Sequence, residues 1–206
     1  MHDIEGAAAA LYREAGYDDS DPAPAIGLAT RLLGPGCVQR VHAGALPGDA
    51  ALVTVHGERR IYVRRGLPPA RLRFAVAHEL AHWALGECAP GAELEARCDA
   101  LAACLVAPRR AFLRALRETD RYHELAGRFA TTESCAALRL AEVTGEPLAL
   151  VAPSCVRVRG DAYGWPGEPE LRALATKPRV PGLRKARRRD DRRRVAMRAQ
   201  DRGRCD

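Results

Sequence analysis

The stretch RFAVAHELAHWALG, residues 73–86, constrains this chain more than any other. Phe74, Ala77, Ala81 and Leu85 recur at spacings of three and four, an apolar stripe that predicts a helix, and Gly86 can stop it. Residues four apart on such a helix are separated by about 400° of rotation and a rise of about 6 Å, so their side chains share one face. His78 and His82 can therefore present imidazole nitrogens to one metal ion. Glu79, about 100° round from His78, can reach a water on that ion without displacing either histidine, which is why HExxH serves zinc hydrolases. A catalytic zinc also needs a third protein ligand and an open fourth position. The chain must then fold so that a second element faces this helix across a cleft.

Composition bounds the rest. A chain of 206 residues with 47% apolar side chains can build one well-cored domain with appendages. No uncharged apolar run approaches the 18 to 20 or so residues of a membrane span, and the acidic start MHDIEGAAAALYREAG does not read as a secretory signal. A cytoplasmic protein with no membrane partner is expected. The seven cysteines include no CxxC pair, so they read as reduced, mostly buried thiols. The net charge of +7 is unevenly spread: residues 177–206 hold 13 Lys and Arg against 4 Asp, so the body is nearly neutral.

Along the chain, residues 3–15 and 25–34 read as helices, the second closed by Gly34, with GYDDSDPAPA as a break between them. Strand-like runs follow at 37–43, 50–55 and 59–65, and HGER makes a hairpin of the last two. Residues 68–144 are helical almost throughout, with interruptions at 86–91 and near Pro108. Residues 146–160 are strand-like again, with a hairpin around Pro153–Ser154. Four segments are expected: an N-terminal helix and linker at 1–24, a core at 25–120, a helical pair with a strand hairpin at 121–165, and a basic, disordered tail at 166–206. The fold class is α+β, mainly helical, with a small antiparallel sheet.

AELEARCDALAACLVAP, residues 92–108, reads as the facing helix, and it offers Glu93, Glu95 and Asp99. Glu95 and Asp99 are four apart and share a face, as the histidines do, so one can bind the metal while the other accepts an imidazole N–H. RFAVAHELAHWALG followed by LEARCDALAACLVAP resembles the zinc metallopeptidase core of the ImmA/IrrE family, and RIYVRRGLPPARL resembles the strand and loop that precede its active-site helix. The resemblance covers about residues 25–145. It implies a zincin-like core in which His78, His82 and Glu95 bind Zn2+ and Glu79 is the general base. It departs from the family at Asp99, where Asn is common, and at LVAP, which replaces LLMP. Helical geometry favours the same carboxylate. Leu94, Cys98, Leu101 and Leu105 define the packed side, and Glu95 and Asp99 lie at its edge. Glu93 points elsewhere, Cys88 would need a sharp fold-back, and the shorter Asp99 is better suited to orient an imidazole.

The family resemblance further implies endoproteolytic cleavage of a helix-turn-helix repressor, which relieves repression. Residues 124–145 themselves resemble a helix-turn-helix pair, although the second helix offers only Arg139 as a long base-contacting donor. The basic tail could touch nucleic acid weakly, without sequence preference and with strong salt dependence. The rival reading is therefore a DNA-associated regulator whose zinc site is structural or vestigial.

Overall fold

The computed structural model describes residues 3–86 and 91–145, together with the backbone of 148–152, 155–159, 183–186 and 195–199. The chain groups into two compact units, residues 1–133 and 134–206.

The first unit opens with α1 (Ile4–Glu14), whose N-cap Asp3 accepts the Gly6 N–H at 2.9 Å, and α2 (Ala25–Leu33), which ends at Gly34 with φ of 100°. Three strands follow: β1 (Val38–Val41), β2 (Ala50–Val55) and β3 (Glu58–Arg64). Four helices complete the unit: α3 (Pro69–Leu85), α4 (Ala92–Val106), α5 (Arg109–Leu116) and α6 (Tyr122–Arg128). Prolines stand at or just before the first turns of α3 and α5, where a missing N–H breaks no helical bond.

His56 and Gly57, both at positive φ, form the two-residue turn that makes β2 and β3 an antiparallel hairpin. The sheet itself is mixed, not antiparallel as expected. Its order is β1-β3-β2, and β1 runs parallel to β3, with Val38 opposite Ile61. The tight turn makes β2 and β3 neighbours, and β1 joins at the outer edge of β3, leaving the outer edge of β2 unpaired within the sheet. The connection at 42–49 then crosses over the β3 position to reach β2. Central strand β3 buries Ile61 and Val63 completely.

Helix α3 packs on α4, on α2, and across β2 and β3. The buried faces of α3 and α4 combine Val76, Leu80, Leu101 and Leu105 with the small residues Ala77, Ala81, Cys98 and Ala102. Each large side chain so buried contributes about 1.5–3 kcal/mol. The small ones let the two backbones approach. Tyr12 pins the far end of α4: its hydroxyl donates to the Leu105 carbonyl at 2.8 Å and accepts the Ala23 N–H at 3.0 Å. Arg73 of α3 donates to the Ala23 carbonyl at 2.6 Å, so both polar groups of that linker peptide are held. Cys37, Cys98, Cys104 and Cys135 are buried.

The second unit comprises α7 (Glu133–Thr144) and four strand segments, β4 (Leu148–Ala152), β5 (Cys155–Arg159), β6 (Leu183–Ala186) and β7 (Val195–Ala199). They form an antiparallel sheet of order β5-β4-β7-β6. Strands β4 and β5 flank the expected hairpin, whose turn at 153–154 lies outside the described residues. Strands β6 and β7 fall within 166–206, the segment expected to be a basic, disordered tail, and the rest of that segment lies outside the described residues. Residues 195–199, apolar except for Arg198, pair with β4, Val151 opposite Val195 and Ala149 opposite Met197. Helix α7 is buried on nearly every face, and Arg139 is only 1% exposed, its guanidinium 3.3 Å from the Glu142 carboxylate. None of the helices in the described residues is long and apolar enough to cross a membrane.

Candidate metal centre

Helices α3 and α4 form the two walls of the site. His78 and His82 lie one turn apart on α3 with their Nε2 atoms 3.1 Å from each other. Two imidazole nitrogens gain nothing from such proximity unless a proton or a cation lies between them. Glu95, in the first turn of α4, closes the group: Oε2 is 3.2 Å from His78 Nε2 and Oε1 is 3.4 Å from His82 Nε2. Tetrahedral nitrogen and oxygen ligands bonded at about 2.0–2.1 Å lie about 3.4 Å from one another. The three side chains thus fit a small divalent ion, and they are the group among the described residues that could hold a metal.

Asp99 sits one turn further along α4, with Oδ1 3.1 Å from His78 Nδ1. A carboxylate only accepts, so this contact assigns the proton to Nδ1 and leaves the Nε2 lone pair facing the site. Burial opposes charging of His78, but the hydrogen bond and charge of Asp99, with Glu79 and Glu95, outweigh it and raise its pKa. Glu93 is exposed and stands outside the metal-binding group, and Cys88 lies outside the described residues.

Glu79 is part-buried between α3 and the sheet, and its Oε2 accepts the backbone N–H of Leu52 on β2 at 2.7 Å. Burial raises its pKa, and the Leu52 N–H and the two histidines pull in the opposite direction. Asp49, just before β2, pairs with Arg64 of β3 at 2.8 Å and also with Arg71 in the first turn of α3. That bracket fixes where β2 crosses the histidine helix. Sequence reasoning missed the Leu52 amide because a backbone donor carries no residue identity. The available signal was the position of β2 just before a two-residue turn, which leaves its outer side unpaired by β3.

Two imidazoles and a carboxylate converging on one point, with a glutamate beside the first histidine, define a metallopeptidase-like site on an α+β scaffold. Residues 40–141 match the model of the IrrE N-terminal-like domain, Peptidase_M78, so this part of the chain is a domain of that family. No curated protein matches the sequence. A solved Mycobacterium tuberculosis transcriptional regulator is similar in structure, with a TM-score of 0.57 and 18% sequence identity. The similarity covers 80% of this chain and 58% of that one, so this chain spans rather under two thirds of that protein's length. At such identity the likeness is one of fold.

Proposed function

We propose that this protein is a zinc-dependent endopeptidase, with His78, His82 and Glu95 as ligands and Glu79 as general base. The convergence of His78, His82 and Glu95 carries the reading, because two helices bring three donors to tetrahedral spacing beside a base. When bound, the zinc supplies Lewis-acid polarisation. The chain's own residues do the rest. Asp99 holds the His78 ring in one tautomer, and Glu79, anchored through Oε2, keeps Oε1 to take a proton and pass it to the leaving amine.

The substrate we propose is a helix-turn-helix repressor in the cytoplasm, and cutting it relieves repression. The regulatory setting is supported by the family and by the name of the similar solved structure. In the rival reading, a DNA-associated regulator, Arg139 would have to read bases, and its burial argues against that. The basic residues of 177–206 offer at most a weak, salt-sensitive contact to nucleic acid. The test is to mix the zinc-loaded protein with the repressors encoded beside its gene. One of them should be cut, and should survive a chelator. If all remain whole, the substrate assignment falls.

A further inference from the structure

The contact between Glu79 and Leu52 follows from the alternation of an antiparallel ladder. Along β2, backbone N–H and C=O groups point in turn toward β3 and away from it. The Asp49 carbonyl accepts the Arg64 N–H at 2.8 Å, and the two-residue turn closes on Val55 and Glu58. Positions 49, 51, 53 and 55 therefore face β3, and 50, 52 and 54 face outward. Ile61, opposite Leu52, confirms the phase, since its N–H goes to the Cys37 carbonyl on the β1 side at 2.7 Å. Strand β2 is an edge of this sheet, so the outward amides receive nothing from the ladder. Of these, the Leu52 amide is aimed at Glu79, 27 residues further along the chain.

We propose that the Leu52 amide is a positioning group for Glu79, holding Oε2 so that Oε1 alone is presented to the metal centre. This rests on the peptidase reading. A glutamate has three rotatable bonds, and a base that wanders by about an ångström can lose much of its effect on rate. The Leu52 N–H belongs to a backbone braced by β3 on one side and by Asp49 with Arg64 and Arg71 at its start. It cannot rotate away. The sheet thereby sets the torsions of a side chain on a helix. This also accounts for the hairpin lying against α3 at this register: a slip of one residue on β2 would turn the Leu52 amide into the ladder and take its donor from Glu79.

Two measurements test this, one without metal and one with it. In the metal-free protein, amide hydrogen exchange followed by NMR should show the Leu52 N–H at least ~10-fold slower than the outward Thr54 N–H. Glu79→Ala should bring the two rates together. With zinc bound, replacing the Leu52 amide by an ester removes only the donor. Metal content should be unchanged, kcat should fall about 10- to 100-fold, and KM should stay within about twofold. Leu52→Pro should act alike, since an outward edge position tolerates the missing N–H. The same ester at Thr54 should leave kcat unaltered. Equal exchange at 52 and 54 in the unaltered protein, or an ester at 52 with undiminished kcat, overturns the proposal. If the zinc-loaded protein cuts no peptide bond at all, the peptidase reading is what fails, and the exchange comparison still decides whether Leu52 holds Glu79.

Discussion

Helices α3 and α4 each bring a pair of side chains four residues apart to the same centre, and the two pairs behave differently. On α3, His78 and His82 are similarly enclosed, 18% and 23% exposed, and both direct Nε2 into the site. On α4, Glu95 is 57% exposed and bridges both histidines, whereas Asp99, at 23%, reaches behind His78 to its Nδ1. A spacing of four thus guarantees a common face and nothing more. Side-chain length and depth along the facing helix then decide which member reaches both histidines and which reaches only His78 Nδ1. The histidines are alike because α3 presents them side by side. The carboxylates differ because α4 meets that face at its first turn.

Four substitutions sharpen or break this contrast. The largest effect should be that of Glu79→Gln, which keeps the shape of the side chain but not its basicity. Zinc content by atomic absorption should persist while turnover falls about 10²- to 10⁴-fold. Full turnover would remove Glu79 from the role of base. Next, Glu95→Ala should weaken zinc binding by more than the about 10- to 100-fold that outer hydrogen-bond partners contribute. Asp99→Ala should fall within that 10- to 100-fold range, about as expected for a residue acting through His78. Equal losses at 95 and 99 would abolish the division of labour on α4.

The smallest effect concerns how α4 is held in place. Tyr12→Phe leaves the Leu105 carbonyl and the Ala23 N–H without their partner, and should cost about 1–3 kcal/mol in urea unfolding. Burial pushes the Tyr12 phenol up to about 12, against opposing pulls from the Ala23 N–H and the Arg73 charge. A folded pKa raised above the unfolded value of about 10 means that this stabilisation is whole below pH 10 and is lost as pH rises toward 12. The unaltered protein should therefore lose stability over that window more steeply than the Phe variant. Parallel curves would show that Tyr12 does not titrate with folding.

The helical body was legible because its signals are local. Phe74, Ala77, Ala81 and Leu85 mark one stripe, Gly86 and Pro108 mark ends, and His56–Gly57 marks a two-residue turn. The convergence of residue 95 with 78 and 82 was legible in the same way, from spacing together with resemblance. What escaped depends on partners distant in sequence. The direction of β1 relative to β3 depends on the connection at 42–49, which joins strands on opposite edges of the sheet. The burial of Arg139 depends on packing that no local pattern encodes, and a helix surface drawn from sequence alone leaves an arginine outside by default.

The uneven enclosure of the three side chains also gives the centre one open side. The histidines belong to a helix whose opposite face is sealed in the core, so they cannot withdraw without disturbing it. Glu95 stands in water at the start of α4, where one side chain can swing aside and return. An ion held by the three donors would meet solvent on the Glu95 side.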